Sequence, residues 1–128
     1  MKFSLAIYSA PEQSGQAELA YDFAQQVLEQ GHELYRLFFF SDGVFNAIQD
    51  HEQISTLPHA WSALITQNKL DAVVCVASAQ KRNIAAKPLD SNTRTDSCHA
   101  LLPGFCISGL AQLIDAAVHS DRLLTFAK

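Results

Sequence analysis

The chain has 128 residues, 48% of them apolar and 17% charged, with a formal net charge of −4. That composition points to one globular domain over residues 1–128 with a proper core, and it excludes wholesale disorder. The acidic balance argues against direct nucleic-acid binding, and the longest apolar runs, 37–40 and 72–77, are far too short to cross a membrane.

Lys2 to Ser9 reads as a first strand through Phe3, Leu5, Ala6 and Ile7. Pro11-Glu12-Gln13 follows at once, so this short apolar run is a poor signal peptide. Ser14 is the expected cap of a helix starting at Gln16, with Glu18 near its positive end. Ala17, Ala20, Tyr21, Ala24, Val27 and Leu28 recur at helical spacing, and Gly31 ends the helix. Glu33 to Phe40 is a second strand closing on Phe38-Phe39-Phe40, where core packing on both sheet faces competes with pocket lining. Ser41-Asp42-Gly43 is a turn signal, and Val44 to Gln49 is expected either to wall a site or to form an ordinary loop. His51 to Leu57 reads as exposed, and Pro58 opens a helix to about Asn68 with Ala60, Trp61, Leu64 and Ile65 inward.

Ala72 to Ala77 is a valine-rich run of strand length, as expected for a central parallel strand buried on both faces. Ser78 to Arg82 is polar and suits a short helix, which puts Cys75 near the strand's carboxyl end, just before a helix amino terminus. Ligands and chemistry collect at that edge of open α/β sheets. The helix end, Lys81 and Arg82 would favour thiolate over thiol. The competing reading is inert packing, since free cysteine is among the most buried residue types.

Residues 83–99 are polar and aperiodic and read as a mobile loop. Cys98 and His99 are neighbours there, but adjacency in sequence is not a catalytic geometry. Phe105 to Ile107 is a short strand, and Cys106 is expected in the protein core. Ser108 is the expected cap of a helix to His119 with Leu110, Leu113, Ile114 and Ala117 on one face, and Arg122 to Phe126 is a last strand. Successive strand–helix–strand units make a right-handed, mostly parallel α/β sheet the natural architecture.

Three cysteines without a CxxC pair, and five histidines without ligand spacing, suggest no metal site. An odd number of thiols and no secretion signal fit a cytoplasmic protein. The phosphate-cradling, nucleophile-elbow and zinc-helix motifs are all missing from the sequence.

Four blocks in order then resemble the DsrE-like sulfur-relay family over essentially the whole chain. They are Gly15-Gln16-Ala17 through Phe23-Ala24 with Gly31-His32-Glu33-Leu34; Phe38 through Val44 with Asn46-Ala47; Val74 through Ala79 with Lys81-Arg82-Asn83-Ile84; and Gly104-Phe105 with Ser108-Gly109-Leu110 and Asp121-Arg122. Phe40 and Ile48 depart from the tyrosine and asparagine common there, and residues 85–103 follow no family pattern. The resemblance implies a three-layer α/β/α fold of flavodoxin-like arrangement and a sulfurtransferase in which Cys75 carries sulfur as a persulfide, without cofactor or metal. It also implies assembly with TusB-like and TusC-like subunits as a dimer of heterotrimers, a TusA-like sulfur donor and a TusE-like acceptor. The sulfur would end in the 2-thiouridine of transfer RNA wobble positions. Other readings are a DsrE-type carrier of dissimilatory sulfur oxidation, a catalytically silent assembly subunit, and a flavodoxin-like nucleotide-binding module.

Overall fold

A computed structural model describes residues 1–49, 55–84 and 101–127. The elements in chain order are β1 (Lys2–Ile7), α1 (Gln16–Glu29), β2 (Glu33–Phe39), a 3-10 turn (Ser41–Ala47), α2 (Leu57–Asn68), β3 (Ala72–Cys75), α3 (Val76–Lys81), β4 (Phe105–Ser108), α4 (Ala111–His119) and β5 (Arg122–Phe126). The strands form one sheet in the order β4-β3-β2-β1-β5, and every neighbouring pair is parallel. The central strand is thus β2, while β3 lies one place in from the β4 edge.

Alternation along each strand divides the side chains between two faces. Leu5, Ile7, Leu37, Phe39, Ala72 and Val74 share one face with α1 and α2. There Ala17, Ala20, Ala24 and Val27 of α1 and Trp61 and Ile65 of α2 complete the main core, as their helical spacing requires. Phe38, Val73 and Cys75 lie on the other face, against Leu113 of α4. Helices on both faces of a parallel sheet make the three-layer α/β/α architecture.

Helix capping differs from the sequence reading at two places. The residue before α1 is Gly15, at φ 83, and Ser14 donates instead to the Ser9 hydroxyl at 3.3 Å. Ser108 ends β4 opposite Cys75, and α4 starts later, after Leu110. Glycine and a helical turn replace the expected hydroxyl caps, which is permitted because packing supplies most of a helix's stability.

Of the apolar face read from the sequence of α4, only Leu113 packs inward. Ala116 is buried and Gln112, Leu113 and Asp115 are partly buried, whereas Leu110, Ile114 and Val118 are 51%, 65% and 71% exposed. The cause lies in β2. Pairing with β1 runs Phe3 to Leu34 and then Ser4 to Arg36, so Tyr35 is an extra residue in the ladder. Tyr35 and Arg36 consequently both reach α4. The Tyr35 hydroxyl donates to Asp115 at 2.7 Å. The Arg36 guanidinium donates to Asp115 at 2.8 Å, to the Gln112 carbonyl at 2.8 Å and to Asp71 at 2.7 Å. A nearly buried guanidinium must be paired, so it draws Gln112 and Asp115 inward beside Leu113 and Ala116 and leaves Leu110, Ile114 and Val118 outward.

Candidate functional site around Cys75

Because all five strands are parallel, their carboxyl ends share one edge of the sheet. Cys75 is the last residue of β3 and the residue preceding α3, with φ −64 and ψ 124. The strand ends there, two residues earlier than the apolar run suggests: Val76 and Ala77 already belong to α3. Valine and alanine fill strand and helix alike, so hydropathy could not mark the boundary. Cys75 is 1% exposed and packs with Phe38 and Val73, beside Phe40 and Leu113. Cys75 nevertheless lines a cavity of about 270 Å³, shared with Phe40, Ser41, Ser78, Lys81 and Leu110.

Hydrogen bonds across the strand ends hold this wall. Ser41, at φ 56, donates its backbone N–H to the Ser78 hydroxyl at 2.9 Å. Arg82 donates to Asp42 at 3.0 Å, to the Ser78 carbonyl at 3.1 Å and to the Ser41 hydroxyl at 3.4 Å. Asp42 also accepts from the Gln13 amide at 3.1 Å. The Gln13 bond, together with the Arg82 bond and charge, holds the Asp42 carboxyl below the usual carboxylate range. Gly43 makes the close approach possible: a Cβ there would stand 2.0 Å from the Ile7 carbonyl oxygen at the end of β1. Arg82 is therefore the strap joining the 3-10 turn to α3, and its charge is matched by Asp42.

The other sequence candidates fall elsewhere. Cys98, His99 and His51 lie outside the described residues. Cys106 is exposed on β4, pairs in register with Val73, and donates its thiol to the Ala72 carbonyl at 3.4 Å. Burial of the sulfur and the nearby Asp71 carboxylate push the Cys106 thiol up, away from thiolate. Val44, Asn46, Ala47 and Ile48 are core rather than site wall. Asn46 donates to the Ser9 and Gly43 carbonyls and accepts from the Trp61 indole at 3.1 Å. Of the three consecutive aromatics, Phe38 and Phe39 are buried on opposite faces and only Phe40 reaches the cavity. Among the described residues no group of three or more His, Cys, Asp or Glu side chains could hold a metal ion, and no helix is long and apolar enough to cross a membrane. A larger cavity, about 710 Å³, opens between the β1–α1 connection and the start of α2; Glu12, Glu18 and Tyr21 line it, and Cys75 does not.

Sequence reasoning missed Ser41 and Leu110 as neighbours of Cys75. The signal for Ser41 was present, because a turn directly after β2 must lie beside the end of β3 in a parallel sheet. Leu110 was read only as part of the apolar face of the last helix and carried no such signal.

The fold and site define a three-layer α/β/α protein with a thiol at the edge of the sheet where ligands bind, and the strand order β4-β3-β2-β1-β5 departs from the expected flavodoxin-like arrangement, in which β1 would lie between β2 and β3. The chain belongs to the DsrE/DsrF-like family, whose model matches residues 1–126. It is 42% identical to the putative sulfurtransferase DsrE of Allochromatium vinosum, with 98% of each chain covered. It is 37% identical to the sulfurtransferase TusD homolog of Pseudomonas aeruginosa, covering 98% of this chain and 97% of that one. The crystal structure of the ychN protein from E. coli superimposes with a TM-score of 0.78 at 22% identity over 98% of this chain and 99% of that one, a likeness of fold. Sulfur transfer is the class of activity in which these relatives place the chain.

Proposed function

We propose that Cys75 is the sulfur carrier of a relay, loaded by a TusA-like donor and unloaded by a TusE-like acceptor, with the sulfur destined for the 2-thiouridine of transfer RNA. The observation that carries this reading is the position of Cys75, which ends a parallel strand at the ligand edge and lines a cavity bordered, among the described residues, by a lysine and by no carboxylate. In the first step the Cys75 thiolate attacks the outer sulfur of the donor persulfide. A new S–S bond forms, the donor's own S–S bond breaks, and its electron pair leaves on the donor thiolate, which takes a proton from water. The acceptor thiolate then attacks the same outer sulfur and releases Cys75 as thiolate. No net oxidation occurs, and such exchange is fastest when the attacking thiol titrates near ambient pH. The apolar surround of Phe38, Phe40 and Leu113 shields the loaded sulfur from water.

Assembly with TusB-like and TusC-like subunits in the cytoplasm belongs to the same reading, and the outward apolar stripe of α4 supports it. A second reading, dissimilatory sulfur oxidation, is favoured by the 42% identity to a DsrE protein.

Cys75→Ser is expected to fold and assemble, with a loss of about 1–3 kcal/mol if its buried hydroxyl is unpaired. Transfer of radioactive sulfur from a loaded donor to a TusE-like acceptor should stop, because serine cannot hold a persulfide. Cys106→Ser should retain transfer. Normal labelling with folded Cys75→Ser would overturn the assignment and leave the silent-subunit reading. Restored transfer RNA thiolation in complemented cells would favour the relay over dissimilatory oxidation.

A further inference from the structure

Two cations line the Cys75 cavity, and they are not equivalent. Arg82 is held by Asp42, with further bonds to the Ser78 carbonyl and the Ser41 hydroxyl. Lys81 is exposed, borders the cavity, and has no ion pair among the described residues. Among the described residues no carboxylate lines the cavity, and Asp42 on the 3-10 turn is engaged by Arg82. The Ser78 hydroxyl, already accepting from the Ser41 N–H, sits on the same wall.

The chemistry asks for one unmatched cation at this place. A persulfide is a stronger acid than its parent thiol, so its outer sulfur carries negative charge near neutral pH. That sulfur stands about 2 Å beyond Sγ of a residue that lines the cavity. A compact ammonium on a flexible stem can follow it between loading and release, whereas a guanidinium locked as a strap cannot. Resting on the sulfur-carrier reading above, we propose that Lys81 is the catalytic cation that holds the anionic outer sulfur on Cys75, and that Arg82 serves only to fix the wall.

The test uses the full chain in a Cys98→Ser, Cys106→Ser background. Cys75 is alkylated with iodoacetate and with iodoacetamide, reagents of similar size that differ in charge, and the rate ratio is read by intact mass. Lys81→Gln should lower the iodoacetate-to-iodoacetamide ratio about threefold or more, with Lys81→Arg retaining it. The distant Lys69→Gln should leave the ratio unchanged. Salt at about 0.5 M should compress the parental ratio toward that of Lys81→Gln. A merely structural role for Lys81 would move both rates together and leave the ratio intact. An unchanged ratio in Lys81→Gln overturns the proposal, as does an equal fall in Lys69→Gln or a Cys75 that neither reagent reaches. The parental protein is also exposed to cysteine persulfide and weighed. Failure to gain sulfur on Cys75 counts against the carrier reading itself. A sulfur gain together with an unchanged ratio removes Lys81 alone.

Discussion

At the scale of single residues, the two described cysteines share a face of the sheet and differ in surroundings. Cys75 ends its strand in front of a helix and a lysine. Cys106 lies one strand over, opposite Val73, with its thiol bonded to a carbonyl and Asp71 nearby. Both features favour the protonated form of Cys106. Exposure alone therefore does not identify the reactive thiol: the exposed Cys106 is held toward its protonated form. Alkylation of single-cysteine variants as a function of pH should show Cys106 slow at neutral pH and rising only above its ordinary thiol range, with Cys75 faster at pH 7. The reverse order at pH 7 would reject Cys75 as the activated thiol.

At the scale of elements, the strands and α1 and α2 were legible because one strong rule governs each: valine-rich runs bury in a parallel sheet, and a helix turns its apolar stripe to the core. The carboxyl edge of β3 followed within two residues, which was enough to single out Cys75. The same helix rule failed for α4. Its apolar positions were recognised, but no sequence pattern shows that a paired arginine lies beneath the helix. Arg36 is that residue, and its bonds to Asp71, Asp115 and the Gln112 carbonyl settle which side of α4 faces the sheet. The clasp makes a pH prediction. The Tyr35 hydroxyl bond, followed by Arg36 and then His119, holds the Asp115 carboxyl below its ordinary value. A carboxyl lowered in the folded state contributes stability that is complete above its unfolded value of about 4, and loses it as pH falls through the folded value. Urea midpoints should therefore decline below about pH 4, and the decline should be shallower in Tyr35→Phe, which removes the largest cause of the shift. Equal acid limbs in the two proteins would show that this carboxylate is not linked to folding.

At the scale of the whole molecule, an exposed stripe of Leu110, Ile114 and Val118 is unusual for an isolated chain of 128 residues. Light scattering at micromolar concentration should show association even without partner subunits. Ile114→Glu with Val118→Glu should reduce that association while leaving the urea midpoint nearly unchanged, since both side chains already face solvent. A monomer with no concentration dependence would leave the stripe unexplained. The extra residue in β2 has one more consequence, for insertions and deletions. Losing a residue inside a buried strand ordinarily reverses every side chain beyond the cut. At Tyr35 it need not. The pairs on either side, Phe3 with Leu34 and Ser4 with Arg36, are already in the places that an unbroken ladder would give them. Removing Tyr35 would close the strand without exchanging its faces. It would delete the hydroxyl bond to Asp115 and the stacking on His119, leaving Arg36 to hold the helix alone. A family of such chains could thus lengthen or shorten this strand by one residue to tighten or loosen α4, and with it both the surface offered to other molecules and the Leu110 and Leu113 side of the Cys75 surroundings.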